Sequence, residues 1–211
     1  MHDRKHSPAA DRNRQPILDV LLQLLPACGA ALEIASGTGQ HAAWFAAGLP
    51  GWTWQPSDAQ ADDFSSIAHW CSDANVANVS RSLLLDVLAA QWPSDGEEFT
   101  QNFDAIFCAN MLHIAPWQTC AGLMQGAARY LSAPGMLITY GPYLERDVPT
   151  ASGNVNFDHS LRQRNAAWGI RALEDVVHQA TLAGLRFSQK FQMPANNLLL
   201  VFKRQFATTA A

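Results

Sequence analysis

The 211-residue sequence predicts one α/β domain, a three-layer sandwich on a seven-stranded, mostly parallel β-sheet with an antiparallel strand at the C-terminal end. Two observations support this prediction. Short apolar runs alternate with amphipathic segments, which is typical of parallel strands joined by right-handed helical crossovers. Near the end of the chain, only residues 193–196 separate two strand-like runs. That connection is too short for a helical crossover, so these two strands must be antiparallel.

The chain begins with polar residues 1–15, and we expect the first half of them to form a mobile arm. Pro16 suits the first turn of a helix, whose apolar face continues to Leu25 before Pro26. Asp19 and Gln23 interrupt that apolar run, which argues against a secretory signal peptide. The first segment is therefore predicted to be an arm and a helix, residues 1–26, in front of the sheet.

A strand, a tight turn and a helix follow in residues 30–47. The apolar strand ends in the small residues Ala35, Ser36, Gly37, Thr38 and Gly39. The two glycines allow the backbone to bend sharply and to approach a ligand, and the first N–H groups of the helix point at whatever lies over the turn. This turn therefore predicts a ligand-binding site.

The identity of that ligand depends on two acidic residues. Asp58 closes the next strand-like run about 20 residues after Gly37, the separation at which a carboxylate meets a ribose diol. Residues 37–42 also fit the G-x-G-x-x-A form of the dinucleotide fingerprint, so a nicotinamide cofactor remains an alternative. Glu33, inside the first strand, needs a cationic or hydrogen-bonding partner if it is buried. S-adenosylmethionine carries an ammonium and a sulfonium, which favours this cofactor.

Three later strands bring further polar residues to the same edge of the sheet. We expect strands at residues 79–85, 103–109 and 136–140, and helices at residues 40–47, 63–74, 117–131 and 171–183. Asp86, Asn110 and His113 follow two of these strands, and ligands of open α/β sheets bind beyond the carboxyl ends of strands. His113 is the candidate general base, although it could instead hydrogen-bond a loop carbonyl, and Asp86 could instead cap a turn.

Residues 144–170 are expected to form a long irregular insertion, and they contain aromatic and hydrogen-bonding side chains. Long loops of compact domains are commonly functional, so we expect a lid over a substrate, with a surface excursion as the alternative.

Composition limits the classes of function. The formal charge of −4 and the isoelectric point near 5.9 argue against nucleic-acid binding. The four cysteines form no C-x-x-C pair, which favours a reducing, cytoplasmic setting. The seven histidines show no metal-binding spacing, and no apolar run is long enough to span a bilayer.

At residues 33–39 the chain resembles class I S-adenosylmethionine-dependent methyltransferases, whose first motif is an acidic residue followed by a glycine turn. Ala35 stands where that family has its first glycine. Segments between residues 7 and 204 also resemble the methyltransferase-like twenty-six family and its bacterial relatives. These segments are SPAADRNRQPIL, LEIASGTGQHAAWFA, WTWQPSD, CANMLHIAPW, YGPY, WGIR with LEDV, and MPANNLLLVFKR. The resemblance implies a Rossmann-like methyltransferase fold that binds S-adenosylmethionine.

The resemblance also implies a set of cofactor contacts. Glu33 would orient the amino-acid end of the cofactor, Asp58 would bind the ribose and Asp86 the adenine amine. In the turn, Ala35, Ser36, Gly37 and Gly39 would admit the backbone to the cofactor, and Asn110 and His113 would border its methyl group. Independently of the resemblance, Arg14 lies just ahead of the helix expected at Pro16. It could bind the carboxylate of the methionine part of the cofactor through two hydrogen bonds, or it could be a solvated charge beside an N-terminal cap.

The expected function is in-line methyl transfer from S-adenosylmethionine to a small-molecule acceptor, without a metal ion. Two alternatives stay open. One is a non-catalytic, cofactor-binding interaction module that uses the insertion as its contact surface, and the other is a nicotinamide-dependent oxidoreductase. The sequence leaves the acceptor and the oligomeric state open.

Overall fold

The structure is a computed structural model that describes residues 4–205. Its helices are α1 (Pro8–Leu24), α2 (Gln40–Gly48), α3 (Phe64–Asp73), α4 (Gln118–Tyr130), α5 (Ser152–Arg164) and α6 (Leu173–Leu182). Its strands are β1 (Gly29–Ile34), β2 (Trp52–Asp58), β3 (Leu83–Leu84), β4 (Phe103–Ala109), β5 (Leu131–Gly141), β6 (Tyr143–Leu144), β7 (Arg171–Ala172), β8 (Leu185–Met193) and β9 (Asn197–Arg204).

Seven strands form the main sheet in the order β3-β2-β1-β4-β5-β9-β8. The pairings among β1 to β5 are parallel, whereas β9 runs antiparallel to both β5 and β8. The predicted fold class is therefore confirmed, including the antiparallel strand at the C-terminal end. Strands β6 and β7 form a separate parallel pair.

Helices cover both faces of the sheet because successive strand residues point to opposite sides. On one face, Ala31 and Phe107 pack in a cluster with apolar residues of α1, α2 and α3. On the other face, Leu32 and Ile106 pack in a cluster with residues of α4 and α6. This arrangement is the predicted three-layer sandwich.

Helix α1 begins earlier than the sequence predicted. It starts at Pro8 rather than Pro16, so residues 8–15, which the sequence placed ahead of the helix, belong to α1, while residues 1–3 lie outside the described part. The hydroxyl of Ser7 caps the helix by accepting the N–H of Ala10 at 3.3 Å. Pro16 lies inside the helix, where its missing N–H removes one backbone hydrogen bond.

Two other expectations differ from the structure. The third strand was expected at residues 79–85 but contains only Leu83 and Leu84, with Val79 making an isolated bridge to Trp54. The insertion at residues 144–170 was expected to be irregular, yet it contains the 13-residue helix α5. Among residues 4–205, no helix is both long enough and apolar enough to cross a membrane.

Candidate functional site

The turn between β1 and α2 lies at the carboxyl edge of the parallel strands. Ala35, Gly37 and Gly39 have φ angles of 56°, 52° and 89°, in the left-handed region that favours glycine. A Cβ on Gly39 would lie 2.5 Å from the Cα of Ile67 in α3, whereas a Cβ on Gly37 would meet no heavy atom within 4 Å. Gly39 therefore allows close packing of the turn on α3, and the backbone at Gly37 is open to a ligand.

Asp58 binds this turn directly. The N–H of Gly37 donates to Oδ2 of Asp58 at 3.0 Å, and the N–H of Ser36 donates to the carbonyl of Ser57 at 2.9 Å. The structure thus brings together the two residues that the sequence places about 20 positions apart. A carboxylate offers about four acceptor positions. Asp58 keeps capacity for a ligand hydroxyl after binding the turn.

Ser36 and Glu33 lie beneath the turn. The hydroxyl of Ser36 accepts the N–H of Ser57 at 3.2 Å, and the hydroxyl of Ser57 donates to the carbonyl of Glu33 at 2.7 Å. Only 2% of Glu33 is exposed. These contacts join the ends of β1 and β2 into one rigid support for the turn.

Glu33 has a hydrogen-bonding partner. The indole N–H of Trp54 donates to Oε2 of Glu33 at 2.9 Å. Burial raises the pKa of Glu33 to about 7, and the Trp54 hydrogen bond opposes that rise. The partner that a buried carboxyl group needs is therefore supplied by the protein. Burial of Glu33 alone does not distinguish S-adenosylmethionine from a dinucleotide.

The structure places Asp86 and Arg14 in other contacts. Oδ1 of exposed Asp86 accepts the N–H of Leu88 at 2.9 Å, which is the turn-capping role that the sequence left as an alternative. The guanidinium of Arg14 lies 4.1 Å from the ring centroid of Trp44 and 3.3 Å from Oδ1 of Asp11. Arg14 therefore faces α2 from the side of α1.

Asn110 joins the carboxyl ends of β4 and β5. Its φ is 61°, its N–H donates to the carbonyl of Tyr140 at 2.8 Å, and its carbonyl accepts the N–H of His113 at 3.0 Å. This tight turn fixes the residues that follow β4 against the end of β5. Asn110 and His113 thus lie at the same edge of the sheet as the glycine turn.

The imidazole of His113 is completely buried, and among residues 4–205 neither of its ring nitrogens has a hydrogen-bond partner. It packs edge-on against Tyr143, with ring centroids 5.1 Å apart. Burial lowers the pKa of His113 to about 3, and the charge of Arg171 adds to this effect. The ordinary pKa assumed from sequence therefore does not apply in this arrangement.

The insertion crosses the carboxyl edge of the sheet. At one end, Nδ2 of Asn154 in α5 donates to the carbonyl of Asn196, just before β9, at 2.8 Å. At the other end, the guanidinium of Arg171 donates to the carbonyls of Leu112 and Ala115 at 2.8 and 2.7 Å. Between them, the N–H of Ile170 donates to Asp158 at 2.7 Å. The segment spans from the start of β9 to the loop after β4.

Sequence reasoning missed the polar contacts made by the first half of α1. Oδ1 of Asn13 lies 2.7 Å from Nε2 of His41, and Nε2 of Gln40 donates to Asp11 at 2.8 Å. These contacts bring α1 against the beginning of α2. The only signal in the sequence was the polar run before Pro16, the second half of which was placed ahead of the helix rather than in it.

Among the described residues, no group of three or more histidine, cysteine or acidic side chains could hold a metal ion.

Solved structures with the same fold include methyltransferases. An O-methyltransferase family 2 protein from Planctomyces limnophilus, in complex with apigenin, matches with a TM-score of 0.76 at 17% identity, over 93% of this chain and 60% of that one. An O-methyltransferase family protein from Burkholderia thailandensis matches with a TM-score of 0.75 at 17% identity, over 93% and 57%. A methyltransferase of calicheamicin biosynthesis, bound to S-adenosylhomocysteine, matches with a TM-score of 0.75 at 14% identity, over 93% and 55%.

At such low identity these likenesses show the fold, which is the Rossmann-like fold of class I methyltransferases. This chain spans between 55% and 60% of the length of the three structures. The resemblance to the methyltransferase-like twenty-six family stays a prediction. A family model matches residues 4–204, nearly the whole chain, and the chain belongs to that family, which is described as a protein of unknown function, DUF938.

Proposed function

We propose that this protein is an S-adenosylmethionine-dependent methyltransferase that acts on a small-molecule acceptor. The observation that carries the proposal is the hydrogen bond from the N–H of Gly37 to the carboxylate of Asp58. At the carboxyl edge of the sheet, this contact places an open backbone turn beside a carboxylate that can accept hydrogen bonds from a ribose diol. The methyltransferase order of strands, with β9 antiparallel, supports the same conclusion.

The residues of the site fit this cofactor. Asp58 binds the ribose, and the open backbone at Gly37, with Ala35, Ser36 and Gly39 in the same turn, allows a close approach. Oδ1 of Asp86 caps the turn, so its other carboxylate oxygen would accept a hydrogen bond from the adenine amine. When bound, S-adenosylmethionine supplies an activated methyl group on a positively charged sulfur. The protein has to align the acceptor and to exclude water.

Glu33 acts from beneath the turn in this proposal. Its carboxyl group is buried and shared with Trp54 rather than open to solvent. A cation above the turn would favour the ionised form of Glu33 through the low-dielectric interior. Glu33 then supports the amino-acid end of the cofactor electrostatically.

His113 and Asn110 border the position of the methyl group. Because the imidazole of His113 is completely buried, a substrate can reach it only if the residues that cover it move. The unprotonated ring nitrogen would then accept a hydrogen bond from the hydroxyl of the substrate and align its oxygen. Burial that lowers the pKa to about 3 makes His113 a weak base in this arrangement. Proton removal by His113 would require that the bound acceptor raise this pKa.

The insertion would act as the lid over the acceptor, because it crosses the edge of the sheet beside His113. The Planctomyces limnophilus protein is in complex with a small molecule, apigenin, which supports a small-molecule acceptor for this protein. Four free cysteines, two of them buried, agree with a reducing compartment, and we place the protein in the cytoplasm.

One observation favours a second candidate, a non-catalytic binding module. Val148 and Val155 of the insertion are exposed apolar residues, with exposed fractions of 48% and 53%, and could form a contact surface. The nicotinamide alternative is weaker because β9 returns antiparallel, whereas a dinucleotide fold would continue with a further parallel crossover.

Isothermal titration calorimetry with S-adenosylhomocysteine tests the proposed function. We expect saturable binding in the micromolar range, and no comparable heat with reduced nicotinamide dinucleotide. A folded sample that binds no S-adenosylhomocysteine would overturn the proposal. Incorporation of a labelled methyl group into any member of a metabolite panel would then separate an enzyme from a binding module.

A further inference from the structure

We propose that Arg171 is a positioning residue for His113. Its side chain fastens residues 167–171, here called the strap, to the loop after β4, and release of this contact exposes the buried imidazole to the acceptor. The inference rests on the proposed function, because it concerns how an acceptor reaches the candidate general base. Arg171 was not among the residues that the sequence predicted for the site.

The guanidinium of Arg171 binds three backbone carbonyls. Its Nε donates to the carbonyl of Leu112 at 2.8 Å, and its Nη2 donates to the carbonyls of Ala115 and Ala167 at 2.7 and 2.8 Å. Among the described residues it makes no ion pair with a carboxylate. Leu112 and Ala115 flank His113, whereas Ala167 begins the strap. One side chain therefore joins the strap to the loop that carries the imidazole.

The backbone of the strap makes the same connection. Arg171 and Tyr143 are register partners in the parallel pair of β6 and β7, and the N–H of Gly169 donates to the carbonyl of His113 at 3.0 Å. The ring of Tyr143 packs edge-on against the imidazole, and its hydroxyl donates to Thr139 at 2.9 Å. The strap thus contacts both the backbone of His113 and the strand whose tyrosine covers its ring.

Helix α5 holds the strap from the other side. Oδ1 of Asp158 accepts the N–H of Ile170 at 2.7 Å, and Oδ2 accepts the Nε–H of Arg162 at 2.8 Å. A Cβ at Gly169 would lie 2.6 Å from Nη2 of Arg162, so the strap lies directly on α5. The strap is therefore bound to α5 by Asp158 and to the loop after β4 by Arg171. Movement of α5 away from the sheet must break one of these two connections.

The closed strap leaves His113 without a partner. Its side chain is completely buried, and neither ring nitrogen has a hydrogen-bond partner among residues 4–205. Burying a polar group in this way costs free energy, which a hydrogen bond to an acceptor hydroxyl would recover.

The strap can open without disturbing the core. No residue of the strap belongs to either of the two apolar clusters that cover the sheet. The side chain of Arg171 is half-buried, so water can replace its hydrogen bonds to the carbonyls at a small net cost. Release of Arg171 is therefore a local opening that uncovers His113.

Modification by diethyl pyrocarbonate at pH 7, located by mass spectrometry, tests this inference. An unprotonated imidazole nitrogen attacks the reagent, so a neutral histidine reacts at a rate that depends on its exposure. Exposed His178 and buried His41 are the internal references in the same sample. In Arg171→Ala the rate for His113 relative to His178 should rise at least about tenfold, because three hydrogen bonds are lost. His41 should stay as protected as in wild type.

Two further variants control the result. Arg129→Ala is matched to Arg171→Ala, because Arg129 also donates to a carbonyl, that of Ala90 at 2.9 Å, and lies 5.3 Å from the ring centroid of Tyr130. It should leave the reactivity of His113 unchanged. Arg171→Lys keeps the charge but not the planar fork of donors, so the rate should be intermediate. If Arg171→Ala does not fold, Arg171→Lys provides the same test with a smaller expected increase.

An NMR titration of His113 supplies a second readout. The pKa of His113 is about 3 in the closed arrangement, through burial and the charge of Arg171. Asp158 is the other charged group that acts on it. In Arg171→Ala both depressing effects weaken, so the midpoint should move into the range of about pH 5 to pH 8. A purely structural role of Arg171 would lower the melting temperature without moving this midpoint.

The inference is wrong if His113 in folded Arg171→Ala is as protected as in wild type, or if His41 becomes reactive together with it. It is also wrong if Arg129→Ala exposes His113 equally. The modification experiment needs no cofactor, so its outcome is separate from that of the proposed function. Failure of wild type to bind S-adenosylhomocysteine would count against the proposed function and not against the contact of Arg171.

Discussion

The indole N–H of Trp54 donates to the carboxyl group of Glu33 at 2.9 Å, and both side chains are almost fully buried. Glu33 belongs to β1 and Trp54 to β2, so the contact joins neighbouring strands directly below the glycine turn. Trp54 thus supplies one hydrogen-bond donor to the carboxyl group of Glu33, and burial disfavours the ionised form of that group. The stability of the protein should therefore depend on pH through Glu33.

Glu33→Gln should reveal this dependence. The pKa of Glu33 is about 7 in the folded protein, above its ordinary value of 4.5, so the folded state binds more protons than the unfolded state between these values. The contribution of Glu33 to the free energy of unfolding therefore falls as pH rises through this window. Relative to Glu33→Gln, wild type should lose about 3 kcal/mol between about pH 4 and pH 8, measured by urea denaturation. A difference that stays constant over this range would contradict the buried, protonated carboxyl group.

Asp58→Ala should separate cofactor binding from stability. Asp58 accepts the N–H of Gly37 at the carboxyl edge of the sheet, and Asp104 accepts the N–H of Ala30 at the other edge, each at 3.0 Å. Loss of either hydrogen bond to a charged group should cost about 2 kcal/mol. Asp58→Ala should also weaken S-adenosylhomocysteine about tenfold or more, whereas Asp104→Ala should not, as calorimetry can show. Equal affinities in the two variants would remove the ribose assignment.

Local signals in the sequence were sufficient to predict the fold class and the turn, although β3 is shorter than predicted. The glycine turn follows an apolar strand, and the short connection before β9 permits only an antiparallel pair. The separation between Gly37 and Asp58 also corresponds to a real contact, because parallel strands bring their carboxyl ends together. These features depend on residues close in sequence or on the geometry of one crossover.

The remaining differences depend on contacts between residues far apart in the chain. The first half of α1 is polar and was predicted to precede the helix, but Asn13 and Asp11 contact the first residues of α2. Helix α5 has only Leu161 buried, so no apolar periodicity indicates it. The low pKa of His113 results from burial that the folded chain creates around it. No local sequence pattern indicates any of these contacts.

The two glycines of the turn should respond differently to alanine. Gly37→Ala places a side chain in open space at a φ of 52°, so it should cost about 1 kcal/mol of stability and hinder cofactor approach. Gly39→Ala forces a Cβ to within 2.5 Å of the Cα of Ile67 and should cost about 3 kcal/mol or more. Thermal unfolding and S-adenosylhomocysteine titration of both variants test this. The idea fails if Gly37→Ala, although nearly as stable as wild type, binds the ligand equally well.

His113 should remain neutral through the physiological range. Its pKa is lowered to about 3 from 6.5, so the unfolded state binds more protons between these values, and the contribution of His113 to stability is lost as pH falls below about 6.5. In NMR spectra of protein with carbon-labelled histidine, the His113 signal is the one that disappears in His113→Asn. The chemical shift of that signal should not change between about pH 5 and pH 8. A midpoint near neutrality would restore His113 as an ordinary general base.

The backbone of Gly141 and the ring of His113 should be energetically coupled. A Cβ at Gly141 would lie 2.3 Å from Nε2 of His113, which the packed end of β5 cannot accommodate. Gly141→Ala should therefore cost about 2 kcal/mol and displace the imidazole, while Gly153→Ala, in α5 with no heavy atom within 4 Å, should be neutral or slightly stabilising. The double variant Gly141→Ala with His113→Ala should cost less than the sum of the two single changes, because the ring that clashes is gone. Strict additivity in urea denaturation would mean that the new methyl group is accommodated without moving His113, and the contact would then play no part in fixing the imidazole beside the site.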